Sequence, residues 1–440
     1  MKTYIGNNIK IVNPTKEVIN FAKENLILDN PEYFKKQNMG FYLGNTPKKI
    51  YLFSIGEDYI VLPFGVLNDI WKLINKDYFH TEFTKPHYLH LEFNEDIKLY
   101  DYQEEALKNL LSKKGGILNA GCGGGKTFVG LSLIGKINQK ALWITHTKRL
   151  LNQAKESAKK LFKKVNIGEI SEGKIEIGED ITFATIQTLS KCDLNLINCF
   201  NVIVVDECHH IAGSPTNITM YYKVLNNLSA RFKYGLSATL ERSDGLIKST
   251  YSLIGDISFK VNEIKHLKAH TKVIETGLDL FRYVDEFTNG DGTFNLNKYL
   301  NFLSVNSVRN KLIGERIRSL IGERNLQIVL TLRVEHAKRI YEELRGEDVI
   351  LLTSKEKIKN NDYNHQIIVS TFQLFKEGVD IPRADTLHII APTSNNVFLV
   401  QSIGRIERVE ENKKTPLIYF YNDEFYYNEK IKKKLLRLRP

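Results

Sequence analysis

The stretch Ala120-Gly121-Cys122-Gly123-Gly124-Gly125-Lys126-Thr127 has the residue types and spacing to hold a polyphosphate. Glycines let backbone N–H groups approach an anion, and a helix starting just after them would point its positive end at the same place. Lys126 would neutralise the β- and γ-phosphates, and the Thr127 hydroxyl would ligate Mg²⁺. Glycine usually stands where this chain has Ala120. Downstream, residues 202–210 read Val-Ile-Val-Val-Asp-Glu-Cys-His-His, an apolar run ending in two adjacent acids. Metal-assisted hydrolysis needs such a pair. Asp206 would face the metal through a water, and Glu207 would orient and deprotonate the attacking water. His209 would reach towards the following motif. Cys208, His209 and His210 have no second ligand pair at suitable spacing, so a structural zinc is not expected.

These residues need particular elements to position them. Residues 116–119 read as a buried strand before the glycine-rich turn, and 128–134 as the start of a helix after it. Further apolar runs fall at 141–145, 181–184, 202–205 and 234–237, separated by helical segments such as 148–162. Strands buried on both faces, with helices between them, indicate a parallel sheet covered by helices. A second set of runs follows at 273–274, 328–331, 349–352, 367–370, 387–390 and 417–420. The expected organisation is therefore two tandem α/β domains, 93–262 and 263–440. Residues 1–92 differ: they lack Arg, are rich in Tyr, Phe, Asn and Lys, and alternate strand-like runs (49–54, 59–62) with helical ones (15–26, 66–74). Asn13-Pro14 and Asn30-Pro31 read as a helix start and stop. This small α/β domain is either a structural appendage or a duplex- or junction-binding module. Asn289-Gly290-Asp291-Gly292 suits a tight turn, possible as a hairpin tip.

Composition narrows the partners. Net charge is +11, which favours a polyanion. The excess lies late in the chain: 11 Lys/Arg against 10 Asp/Glu in 1–92, 22 against 17 in 93–262, and 29 against 24 in 263–440. The basic run at 430–439 reads equally well as a solvated helix end or a nucleic-acid contact. No apolar run reaches the roughly 18–20 residues that span a bilayer, and the N-terminus has no apolar signal core. Cys122, Cys192, Cys199 and Cys208 lack disulfide or zinc spacing and read as reduced thiols. The expected location is the cytoplasm, that of the host cell if the protein is viral.

Taken in order, the motifs resemble those of superfamily 2 helicases. Asp-Glu-Cys-His after the P-loop is similar to the DEAD/DEAH-type motif II. Tyr102-Gln103 resembles the adenine-reading Gln motif, although relatives commonly carry Arg where Tyr100 stands. Residues 145–153, with Thr147, Lys148 and Arg149, resemble motif Ia. Thr185 and Gln187 fall in a motif Ib-like stretch, and Ser237-Ala238-Thr239 is similar to motif III. In the second domain 329–332 looks like motif IV. Residues 370–382, with Thr371, Gly378 and Asp380, look like motif V. Gln401, Gly404, Arg405 and Arg408 match Q-x-x-G-R-x-x-R of motif VI in full. The resemblance spans about residues 97–422 and implies two RecA-like domains with ATP hydrolysed between them. It casts Arg405 and Arg408, which would share a helix face, as arginine fingers. It makes His209, Ser237 and Thr239 the coupling residues, and it gives Thr147, Lys148, Arg149, Thr185, Gln187 and Thr371 to the nucleic-acid backbone. Asp-Glu-Cys-His, the 237–245 segment and the small N-terminal domain resemble UvsW-like phage branch-migration helicases, with XPB and RecG more distant. That implies a monomeric motor on branched or duplex DNA, using ATP and Mg²⁺.

Other classes fit less well. A GTPase needs an Asn-Lys-x-Asp motif after the P-loop, and Asn75-Lys76-Asp77 precedes it. An RNA helicase, or a duplex translocase that does not separate strands, stays open because backbone-gripping motifs do not identify the sugar.

Overall fold

A computed structural model describes all residues except 75–78, 122, 212, 216, 239, 241–245, 262–266, 353–363, 377–380, 411 and 440. It divides into two compact units, Met1–Glu263 and Ile264–Pro440. Among the described residues no helix is long and apolar enough to cross a membrane.

The first unit holds two large sheets. The smaller one runs Ser54–Ile55, Tyr59–Pro63, Asn8–Val12, Lys2–Ile5, Phe79–Thr81 in spatial order. Alternating Ile9, Ile11, Ile60 and Leu62 face a core shared with Val18 and Ala22 of the helix Lys16–Asn25. Asn30-Pro31 does not stop that helix. It starts another, Pro31–Asn38, because the Asn30 side chain caps the Glu32 N–H and proline suits a first helical position.

This small sheet is fastened to the rest of its unit. Asn201 donates to the carbonyls of Thr84 and Lys85 and accepts from the His87 N–H, each at 3.0 Å. A Cβ on Gly65 would lie 2.0 Å from the Tyr251 carbonyl oxygen, so glycine alone permits this approach. Lys233, fully buried in the strand Phe232–Ser237, donates to Leu225 O at 2.7 Å and Asn7 O at 3.3 Å and lies over the Phe64 ring. Burial pushes its ammonium down to about 7.

The larger sheet is ordered Lys174–Glu176, Ile167–Ser171, Ile181–Thr185, Ala141–Thr145, Val202–Asp206, Phe232–Ser237, Gly115–Asn119, Ile257–Lys260. Every neighbouring pair is parallel except the first. Its central strands are buried along their whole length, as a sheet covered on both faces requires. Trp143, Phe183, Val204 and Tyr234 face the helices Asp101–Leu111, Lys126–Ile137 and Lys148–Leu161. Ile144, Ala184, Ile203 and Val205 face Ile186–Leu189, Met220–Asn227 and Ile247–Ile254.

The second unit has six parallel strands, ordered His270–Asp279, Leu417–Glu424, Thr386–Ile389, Gln327–Thr331, Ile367–Thr371, Val349–Leu352. The first is ten residues long and only half-buried. As an edge strand of largely polar sequence, it is much longer than its two-residue apolar signal. Asn289–Gly292 forms a tight turn, Asn289 N–H donating to Thr293 O at 2.8 Å, closed by one bridge between Thr288 and Phe294 rather than by paired strands.

Two histidines of this unit are buried and neutral, His336 on the helix Val334–Glu343 and His388 on the strand Thr386–Ile389. His336 lies between Thr331 Oγ1 and Asn310 Oδ1, and His388 between Tyr421 Oη and Gln327 Oε1. Burial pushes each imidazole from its usual 6.5 down to about 3. Between those pH values the unfolded chain binds the extra protons, so each histidine's contribution is complete above pH 6.5 and shrinks as pH falls towards 3. Denaturant unfolding of the second unit, followed by circular dichroism, should show stability falling by up to about 1.4 kcal/mol per pH unit per histidine below 6.5. His388→Gln should flatten the slope.

Candidate nucleotide-hydrolysis site

Three neighbouring strands deliver the first unit's chemistry at their C-terminal ends, where open α/β sheets place ligands. Gly115–Asn119 leads into the glycine-rich loop, Phe232–Ser237 lies beside it, and Val202–Asp206 is next. Ala120 N–H donates to Ser237 O at 3.1 Å, tying the loop to the middle strand. The helix begins at Lys126 itself, two residues before the expected point, with Gly125 left-handed (φ +63°) as its cap. A Cβ at Gly125 would lie 2.1 Å from Gln103 Nε2. Ala120 is buried in the core beneath the loop, while Gly121 and Gly123 reach the surface and Gly124 is buried. Cys122 lies outside the described residues.

Lys126 Nζ donates to Ala120 O at 3.1 Å and Gly121 O at 3.4 Å, so the ammonium lies across the loop mouth. Thr127 follows it in the first turn, partly exposed. Gln103 bridges two elements: its Oε1 accepts the Tyr100 N–H at 2.9 Å, capping the helix Asp101–Leu111, and its Nε2 donates to Gly124 O at 3.2 Å. It therefore sets the loop's position.

Asp206 ends its strand buried, and its Oδ1 accepts the Glu207 N–H at 3.0 Å. Glu207 is left-handed (φ +50°, ψ +50°), a conformation costly for a residue with a side chain and typical of functional sites. Burial and the Glu207 charge push the Asp206 carboxyl up, with Lys126 opposing. Burial would also raise Glu207, but its bond to His209 and the Lys126 charge outweigh it and hold the carboxylate low. Cys208 turns away into the core. His209 Nδ1 lies 3.2 Å from Glu207 Oε2 and 3.0 Å from Ser237 Oγ, joining the acid pair to the next motif. Thr239 lies outside the described residues.

These features fit a magnesium–nucleotide. A loop that admits only glycine next to Gln103, a cation over its mouth and a crowded acid pair would be relieved by a phosphate-bound divalent ion. When bound, Mg²⁺ would supply charge neutralisation on the phosphates; Thr127 and Asp206 are the side chains placed to hold it.

The expected nucleic-acid residues are mostly engaged by the chain itself. The Thr147 hydroxyl caps the helix Lys148–Leu161 through the Leu150 N–H at 3.3 Å. Thr185 Oγ1 bonds Thr188 Oγ1 at 3.2 Å, and Gln187 Nε2 donates to His146 O at 2.8 Å. Arg149 is half-buried. Lys148 binds the Glu169 carboxylate and Ser171 Oγ, and Lys155 takes the other Glu169 oxygen. Glu169, held down to about 2 by these partners against its burial, is the residue that sequence reading missed. Lys148→Ala should therefore lower the melting temperature yet leave the salt slope of nucleic-acid binding unchanged; a loss of about one unit of slope would return Lys148 to the phosphate contacts.

In the second unit Gln401 and Arg405 are buried on the helix Asn396–Ile406, and the Arg405 guanidinium lies 5.3 Å above the Phe375 ring. Arg408 does not share that helix: it falls two residues past its end. The reason is Glu407, whose carbonyl accepts the Leu267 N–H and whose carboxylate takes the Ala269 N–H and Arg439, drawing the chain out of helical geometry. Thr371 is buried at the end of its strand, its Oγ1 accepting the Leu374 N–H at 3.4 Å. Gly378 and Asp380 lie outside the described residues.

Residues 96–242 match the family described as type III restriction enzyme, res subunit. A putative ATP-dependent RNA helicase of Acanthamoeba polyphaga mimivirus is 24% identical, the alignment covering 88% of this chain and 73% of that protein. The DNA 3'-5' translocase XPB2 of Sulfurisphaera tokodaii is 25% identical over 72% of this chain and 80% of its own. The ATP-dependent DNA helicase uvsW of Enterobacteria phage T4 is 24% identical over 73% and 67% respectively.

Proposed function

We propose that this superfamily 2 helicase is an ATP-driven, Mg²⁺-dependent motor that translocates on DNA and remodels branched duplexes such as forks and four-way junctions. The observation that carries the motor reading is the set of three adjacent strands. They bring a glycine-rich phosphate loop, a Ser237–His209 link and the Asp206–Glu207 pair to one end of the sheet. Similarity to the XPB2 translocase and the uvsW helicase supports DNA as the track.

In this reading the loop N–H groups and Lys126 bind the phosphates, Asp206 and Thr127 hold the metal, and Glu207 takes the proton from the attacking water. Arg405 and Arg408 of the second RecA-like domain (263–440) complete the charge around the transferred phosphoryl group. Gln103 positions the loop beside the adenine, and Gly378 and Asp380 contribute from the motif V-like stretch. Arg149, Thr185, Gln187 and Thr371 contact the strand backbone. Residues 1–92 form an accessory domain that braces the first motor domain (93–262), as the Asn201, Gly65 and Lys233 contacts suggest. The motor acts as a monomer in the cytoplasm.

Steady-state ATPase rates with single-stranded DNA, duplex, four-way junction and structured RNA, at one fixed salt concentration, test the substrate. The junction should stimulate most. Strongest stimulation by RNA would move the protein to the class named for its mimivirus relative while leaving the hydrolytic site in place.

A further inference from the structure

His146 and His210 stack face to face, ring centroids 4.4 Å apart and 14° from parallel, and His210 in turn packs on His209 at 4.2 Å. None of the helicase motifs assigns a role to His146 or His210. His146 follows the strand Ala141–Thr145 and precedes Thr147 and Arg149; its carbonyl accepts the Gln187 side chain at 2.8 Å. His209 lies against Glu207 and Ser237. Three imidazoles thus form a continuous contact between the segment proposed to grip nucleic acid, His146 to Arg149 with Gln187 against it, and the general base. Glu207 is the carboxylate that feels His209 and His210, with the Lys126 charge acting on it as well.

We propose that this ladder, Gln187–His146–His210–His209–Glu207, couples nucleic-acid binding to ATP hydrolysis within the first unit, with His146 and His210 as positioning residues. The inference rests on the motor reading above. Glu207 has an unfavourable left-handed backbone, so its carboxylate has no regular secondary structure to fix it and depends on what packs against His209. A nucleic-acid strand pressing on the start of the helix Lys148–Leu161 and on Gln187 shifts His146, and a stacked ring passes that displacement on as a unit because packed side chains move between discrete arrangements. Stacking, not protonation, does this, so a non-titrating ring should serve.

The test compares wild type with His146→Ala, His210→Ala, the double variant and His210→Phe. It reads ATP turnover without and with saturating single-stranded DNA, together with DNA affinity and melting temperature. The ladder predicts unchanged basal turnover and DNA affinity, and a fall in DNA stimulation of roughly five- to a hundredfold, the usual range of coupling between sites. The double variant should lose no more than either single one, since either break interrupts the same contact. His210→Phe should restore most of the stimulation. Full stimulation in both alanine variants, or basal and stimulated rates falling in equal proportion, would overturn the coupling role. A wild-type enzyme that no nucleic acid stimulates would overturn the motor reading and the ladder with it. If the alanine variants melt too early to assay, His146→Phe and His210→Phe still decide: they must keep stimulation where His210→Leu, of similar bulk without a planar face, loses it.

Discussion

Glu207→Gln should bind ATP with near wild-type affinity and hydrolyse it roughly 10²–10⁴-fold more slowly, the usual contribution of a positioned general base. Glutamine keeps the volume and can still hydrogen-bond His209, but it cannot accept the water's proton. The structure adds a second expectation that separates chemistry from folding. Glu207's charge is one cause of the raised Asp206 carboxyl, and its backbone is already left-handed. Removing that charge relieves repulsion on the buried Asp206 beside it, so the variant should melt no earlier than wild type. Nucleotide binding followed by a fluorescent analogue, single-turnover hydrolysis and a thermal melt on one preparation decide the matter. Wild-type turnover would remove Glu207 from the proton-transfer role. Lost turnover with lost nucleotide binding would make it a structural residue of the loop.

How far the chain could be read before its structure depended on whether a residue's task is local. The glycine loop, the acid pair and the central strands announce themselves because the constraint lies within a few consecutive residues. A strand buried on both faces is apolar along its whole length, as at Val202–Asp206. The partners set by distant contacts did not announce themselves. Lys233 looks like a polar interruption in a strand until Asn7 and Phe64, more than 160 residues earlier, are seen to enclose it. Glu169 gives no sign of claiming Lys148 and Lys155. The edge strand His270–Asp279 carries mixed polarity because one side meets solvent, so periodicity marked only its centre. The same rule explains the motif VI error. Spacing of three predicts a shared helix face only while the helix lasts, and Glu407's contacts with residues 267, 269 and 439 end it first. In the ladder of histidines, His209 was legible because it adjoins the acids. His146 and His210 become informative only when two strands are laid side by side.

Arg405→Ala should retain nucleotide affinity within a few-fold and lose roughly 10³-fold or more in kcat, the magnitude expected when a cation that stabilises the transferring phosphoryl group is removed. The competing account is structural. Arg405 is buried in the last helical turn, where a cation favours the helix's negative end, and it lies over Phe375. Truncation could then act through packing. Arg405→Lys separates the two. Lysine keeps the charge for the helix end and can lie over the ring, but it cannot present two parallel N–H groups to phosphate oxygens. If Arg405 acts on the phosphoryl group, the lysine variant melts like wild type and still loses most of its turnover. If packing is its whole task, lysine restores turnover along with the melting temperature, and alanine's defect scales with lost stability. Arg408, outside the helix, supplies the internal control. Its replacement by alanine leaves the helix Asn396–Ile406 intact, so a similar fall in kcat with an unchanged melt would place both guanidinium groups on the same phosphate.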